Sequence, residues 1–178
     1  MTTPVAWGPE FLLNTETDGK QEGPRIAVLP DGRFLAVWAH DPTDYTEDET
    51  IRGQLFDSSG TKIGDEIVMD PGDRSIGEVS VVVADDGDFI VLNGSSIGLT
   101  EGFRLDRDGN VLLQEIIGGR QVNLITQQDG GFIAVFNTNT GSKDIYIGPF
   151  DNKLESTEDR TLLAEDAGVI IDAFKINE

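Results

Sequence analysis

Apolar runs of five or six residues, set off by Asp-Gly turns, recur along this chain. LPDGRFLAVW begins at Leu29, ADDGDFIVLN at Ala84 and QQDGGFIAVFN at Gln127, and each reads Asp-Gly, one residue, Phe, then an apolar run. The Phe positions, Phe34, Phe89 and Phe132, are 55 and 43 residues apart. A second landmark interleaves with the first. IRGQLFDSSGTKIGDEIVM from Ile51, GFRLDRDGNVLLQEII from Gly102 and IYIGPFDNKLESTEDRTLL from Ile145 align on Asp57, Asp106 and Asp151, at steps of 49 and 45. Two landmarks in the same order, at a period of roughly 50, define an internal repeat.

Within each unit the local signals are those of strands and tight turns. Arg25 to Leu29 is short and apolar, Pro30-Asp31-Gly32 is turn chemistry, and Phe34 to Ala39 is the returning strand. That strand is apolar at odd and even positions alike, which predicts burial on both faces, as in stacked sheets. Val79 to Ala84 with Phe89 to Asn93, and Val122 to Thr126 with Phe132 to Asn137, predict the same hairpin twice more. Ile51 to Phe56, the turn Asp57-Ser58-Ser59-Gly60 and Ile63 to Met69 supply the second half of a unit. Helix signals are weak; Leu154 to Glu165 is the best candidate, but repeat register aligns Leu162-Leu163 with Leu12-Leu13 as a strand.

The expected fold is therefore all-β: one domain over 1–178 of about three four-stranded antiparallel units resembling propeller blades, with approximate boundaries 8–63, 64–112 and 113–178. A leading strand over Glu10 to Asn14 and a trailing one over Val169 to Phe174 frame them. A propeller closes with about 4–8 blades, so three leave edges and apolar faces open. Closure by a second copy, a homodimer, is one expectation; a self-contained β-sandwich or barrel is the other.

Composition narrows the chemistry. There are 13 Lys and Arg against 33 Asp and Glu, a net charge of −20, whose field repels nucleic acid and anionic membranes. No Cys is present, which excludes disulfides, thiolate nucleophiles and Cys-ligated metals; the single His40 excludes any site needing two imidazoles. The start, MTTPVAWGPEF, has no basic and apolar leader, and no apolar run approaches a membrane span. This fits export without a cleaved signal, a cytoplasmic protein or a piece of a larger one.

The segment from Gly8 to Met69 resembles a β-strand repeat of large bacterial secreted and surface proteins. That pattern runs roughly G-x-E-F-x-V-N-T, then P-x-V-A-x-L-x-D-G-G-F-V-V-x-W, then G-Q-x-F-D-x-x-G-x-x-x-G-x-E-F. Here it is carried by Gly8, Glu10, Phe11, Asn14, Thr15, Pro24, Ala27, Leu29, Asp31, Gly32, Phe34, Trp38, Gly53, Gln54, Phe56, Asp57, Gly60, Gly64 and Glu66. The match is close for 8 to 69, partial for 78 to 117 and thin after 143. Such repeats accompany haemolysin-type calcium-binding regions, so the resemblance implies a propeller-like repeat in an extracellular or cell-surface setting and no defined activity. The nonapeptide calcium repeat G-G-x-G-x-D-x-U-x is absent, and Leu92 and Phe136 stand where the first unit has Trp38.

The sharpest local motif is Asp106-Arg107-Asp108-Gly109-Asn110. Oxygen side chains at alternate positions around a Gly can converge on a hard cation, so Asp106, Asp108 and Asn110 are the candidate metal ligands and calcium the candidate cofactor. An Asp-x-x-Gly turn, the Asp side chain accepting from backbone N–H groups, explains the same residues without a metal. The acidic loop from His40 to Glu49 reads as a solvated insertion or a binding loop, with His40 exposed. Asn93-Gly94-Ser95 has the form of a glycosylation sequon and reads as a turn. No P-loop, H-E-x-x-H, G-x-S-x-G or sialidase-type S-x-D-x-G-x-x-W occurs. The expectation is a non-catalytic binding or structural module presenting loops to a glycan or protein partner. A carbohydrate-active hydrolase and a self-assembling protein without a ligand are the alternatives.

Overall fold

Four consecutive strands fold back on one another three times. The computed structural model describes residues 10–42, 48–72, 76–95, 99–117, 120–126, 132–137, 145–150, 154 and 161–164. Strands β1 (Lys20–Val28), β2 (Phe34–Asp41), β3 (Thr50–Phe56) and β4 (Lys62–Met69) form the first sheet. β5 (Glu78–Val83), β6 (Phe89–Gly94), β7 (Thr100–Leu105) and β8 (Val111–Ile116) form the second. β9 (Arg120–Thr126), β10 (Phe132–Asn137), β11 (Ile145–Phe150) and β12 (Thr161–Ala164) form the third. Every pairing is antiparallel and every neighbour in a sheet is a neighbour in the chain. The described residues contain no helix. Leu154, in the stretch where helix and strand signals compete, has φ of 66°, and the strand expected around Leu162-Leu163 is β12.

The turns explain why the hairpins start where they do. After β1, the Leu29 N–H donates to the Arg33 carbonyl at 2.8 Å and the Gly32 N–H to that of Leu29 at 2.9 Å. Ala84 and Gly87 make the same pair of bonds after β5, Asp57 and Gly60 after β3, and Asp106 and Gly109 after β7. The fourth residue of each turn must adopt a left-handed backbone, and it is Gly at φ between 86° and 88° in all four. The Asp-Gly spacing in the sequence is thus a direct record of the hairpin geometry.

Side-chain alternation then stacks the sheets. Leu35 and Val37 of β2, with Ile51, Leu55 and Met69, point to one side of the first sheet and meet Val79, Phe89, Val91, Phe103 and Leu105 of the second. The even positions of β2, Ala36 and Trp38, are also buried, on the opposite face with Phe56. Both faces of the second sheet are filled: Ile90 and Leu92 pack with Phe132, Ala134 and Leu154 of the third unit. β5 lies against β1 and β2, and β9 against β5 and β6, so each sheet follows the last by its first strand. Among the described residues the sheets are stacked through side chains and no ladder joins one to the next, which is not the arrangement of a single closed barrel.

Two expectations change. Residues 10–14 resemble β4 in sequence, yet they pair with no described strand, although each open sheet has two edge strands. They run instead over the outer face of the first sheet, Leu13 packing beside Ala36, Trp38, Phe34 and Phe56. Asn93 and Gly94 end β6 and are not a turn; Asn93 is fully buried, which removes it as a glycosylation acceptor in the folded protein. The trailing segment Val169 to Phe174 lies outside the described residues.

Candidate functional site

β1 does not run straight. Its register against β2 shifts between Glu22 and Arg25, and Gly23 sits in the left-handed region at φ of 59°. Such a bulge bends a strand and re-aims its side chains. Here it opens a cleft of about 220 Å³ between the first and second sheets, at the end where β1 and β5 begin. Lys20, Glu22 and Arg25 from β1, His40 and Asp41 from the end of β2, and Glu49 before β3 line one wall; Ile76, Gly77, Glu78 and Val79 line the other.

The cleft is charged and internally braced. Lys20 Nζ lies 2.8 Å from Glu22 Oε2, and Arg25 Nη2 lies 3.4 Å from Glu78 Oε1, which ties β1 to β5. The hydrogen bond and charge of Glu22, in that order, and then the charges of Asp41 and Glu49, raise the Lys20 pKa. Glu49 Oε2 accepts from the Ile76 N–H at 2.6 Å, and the Gly77 N–H donates to Asn93 Oδ1 at 3.0 Å, so the start of β5 is pinned from both sheets. His40 departs from the exposed position expected of it. It is 5% exposed, and its Nδ1 lies 3.3 Å from Gln21 Nε2, because β2 continues through Asp41 and carries the ring into the wall. The rest of the acidic loop, 43–47, lies outside the described residues.

At the opposite end of the sheets stand the four hairpin turns, and with them the predicted metal ligands. Asp106 Oδ1 accepts from the N–H groups of Asp108 at 2.9 Å and Asn110 at 2.8 Å, and its Oδ2 accepts from Asn110 Nδ2 at 2.8 Å. Partial burial works to raise the Asp106 pKa, but the Asn110 side chain and the backbone N–H groups of Asn110, Asp108 and Gly109 outweigh it and hold the carboxyl below its ordinary value. Asp108 points elsewhere: its side chain is 81% exposed and pairs with Arg33 at 3.3 Å. Asp57 closes its own turn in the same way, accepting from the Ser59 and Thr61 N–H groups at 2.8 and 2.9 Å. Among the described residues no three His, Asp or Glu side chains converge as metal ligands do. Arg33 bridges the two turn sets, donating to the Arg107 carbonyl at 3.1 Å, while Arg104 pairs with Asp86 and Asp88 at 2.9 and 2.7 Å.

The repeat motifs therefore mark the turn end, and the cleft lies at the end that the motifs do not mark. Its residues carry no shared pattern in sequence; the one legible hint is the Gly-Pro interruption at Gly23-Pro24 inside an otherwise strand-forming stretch.

No protein-family model matches this sequence. No curated protein matches it either. Solved structures do resemble the fold. A eukaryotic initiation factor matches with a TM-score of 0.59 at 9% identity over 88% of this chain and 35% of its own. An exo-β-1,3-galactanase from Phanerochaete chrysosporium matches with 0.54 at 13% identity, over 80% of this chain and 35% of its own. A putative exo-β-1,3-galactanase from Bifidobacterium bifidum matches with 0.54 at 15% identity, over 82% of this chain and 51% of its own. The chain thus spans about a third to a half of the length of these structures. Likeness at this level of identity shows fold alone. The class it defines is all-β, built of four-stranded antiparallel sheets, with propeller-like neighbours.

Proposed function

We propose that this chain is a non-catalytic binding module of a bacterial secreted or cell-surface protein, and that it takes a glycan in the cleft between its first two sheets. The observation that carries this reading is the cleft itself: a small concavity whose charged groups, Glu49 apart, stand on strands. Its Lys20, Arg25, Asp41, Glu49 and Glu78 offer donors and acceptors of the kind that hold hydroxyl-rich ligands. The likeness to two exo-β-1,3-galactanases points to the same ligand class.

A hydrolase is the second reading, favoured by carboxylates on both walls, Asp41 and Glu49 facing Glu78, since glycosidic bonds are cleaved between flanking carboxyl groups. Both readings are tested by titration calorimetry and product analysis with β-1,3-galacto-oligosaccharides and a wider polysaccharide panel. Saturable binding without turnover, weakened tenfold or more by Arg25→Ala or Glu49→Gln, supports the module. Turnover that Asp41→Asn abolishes makes it an enzyme. Absence of binding across the panel at millimolar ligand overturns the glycan assignment.

A further inference from the structure

The repeat lets one face of the molecule be compared with another. Counting from Phe34 and Phe89, Ile26 of β1 occupies the position of Val81 in β5, since they pair with Ala36 and Val91 respectively. Val28 likewise occupies the position of Val83, opposite Phe34 and Phe89. In the second sheet these positions do a definite job. Val81 and Val83 are partly buried against the core that the first and second sheets share. Among the described residues, no sheet packs on the equivalent face of the first sheet. Ile26 is 53% and Val28 61% exposed, and Val68 at the other edge of that face is 49% exposed.

The face is covered over part of its breadth by residues 11–14. Leu13 packs among Ala36, Trp38, Phe34 and Phe56, and the Phe11 ring tilts against Phe56 at 5.8 Å. Phe11 and Leu12 nevertheless remain 55% and 64% exposed, so the cover adds apolar surface to the patch instead of sealing it. Exposed apolar side chains gathered on one sheet face are of the kind that mark an interaction site.

We infer that a second copy of this chain docks here, its third sheet set against the first sheet as the first sheet sits against the second. The occupant is identified by the face: its side chains stand at the positions that, one unit later, pack against a sheet of this same protein. A head-to-tail contact made twice about a two-fold axis joins the three described sheets of one copy to the three of the other, a ring of six within the range of about 4–8 that such rings use. Four strands about 4.8 Å apart and six residues long give a face of roughly 400 Å². Two such contacts bring each partner to the roughly 800 Å² of a stable interface. With a net charge of −20 on each copy, salt strengthens the association by screening repulsion.

The inference is independent of the cleft. Light scattering after size exclusion, at several concentrations and salt levels, tests it. The expected mass is twice 19.3 kDa, and Ile26→Asp with Val28→Asp returns it to 19.3 kDa while circular dichroism and the melting temperature hold. Ile116→Asp, an equally exposed residue on β8, leaves the dimer intact. A monomer at every concentration up to millimolar, a dimer that survives the double variant, or an open-ended series of larger species overturns it. Should the double variant fail to fold, Val28→Cys labelled with a polarity-sensitive dye replaces it, since the chain has no other Cys. A concentration-dependent blue shift supports the contact, and a constant spectrum refutes it.

Discussion

Replacing Asp106 by Ala separates the two chemistries its motif admits. In the structure that carboxylate accepts from two backbone N–H groups and the Asn110 side chain, all within 2.9 Å, and so acts on the turn as a capping residue acts on a helix end. Removal of a capping acceptor costs about 0.5–2 kcal/mol, and the partial exposure of this turn places the expected loss near 1 kcal/mol. For a chain of this length that is a fall of about 2–4 °C in melting temperature. Asp106→Asn keeps an acceptor and loses less. Asp108→Ala removes a side chain that is 81% exposed and one ion pair to Arg33, so its effect lies within about 0.5 kcal/mol of zero. A cation held by Asp106, Asp108 and Asn110 gives a different signature: at 100 times its dissociation constant it adds about 2.7 kcal/mol. The assay is differential scanning calorimetry of the parent protein and the three variants in calcium and in chelator. Unequal losses for Asp106→Ala and Asp108→Ala, identical in both buffers, are expected. A melting temperature that rises in calcium and loses that rise equally in both variants refutes the capping argument and establishes the metal.

Two further outcomes follow from the same geometry. Gly53 and Gly102 hold the same repeat position, opposite Val37 and Leu92, but a Cβ on Gly102 would lie 2.8 Å from Leu154 Cδ1, whereas one on Gly53 meets nothing closer than 3.4 Å. Gly102→Ala is therefore expected to lose about 1–3 kcal/mol by overpacking and Gly53→Ala to be neutral or slightly stabilising, as urea melts will read. Asp31, Asp57 and Asp106 all titrate below their ordinary values, held down respectively by the Arg33 N–H, the Ser59 hydroxyl and, against its burial, Asn110. A depressed carboxyl stabilises the fold above its unfolded pKa of about 3.9 and loses that contribution as pH falls through the folded value. The melting temperature should accordingly drop below about pH 4, and less steeply in Asp57→Asn, in a series of thermal melts.

The turns and the strands they bound were readable from Asp-Gly-x-Phe because a left-handed Gly and an Asp acceptor are local requirements. Phe132 to Asn137 is β10 without adjustment, and the two-faced apolar pattern of Phe34 to Ala39 matches a strand buried on both faces, against the second sheet on one and under residues 11–14 on the other. Residues 10–14 misled because their likeness to β4 encodes strand propensity, while a strand also needs a partner that no local pattern supplies. The burial of His40 and the cleft escaped for a related reason. They depend on a bulge at Gly23, the extra length of β2 and the start of β5, and the residues that line the cleft, up to 59 positions apart from Lys20 to Val79, meet through sheet stacking. Asp106 stood between: its chemistry was legible, and the direction of its oxygens was settled by the turn.

Because strand order in each sheet is chain order, the ladders require no long loop to close before they form. Closing a short hairpin loses little chain entropy, and topologies rich in such local pairings fold fast for all-β proteins. Emerging from the ribosome, the first sheet is complete in sequence once Met69 has appeared, and its apolar inner face then waits for Val79, Val81 and Val83 to arrive. The second sheet in turn presents Ile90 and Leu92 to the third. Synthesis and folding can thus proceed in the same direction, each unit serving as the template on which the next condenses.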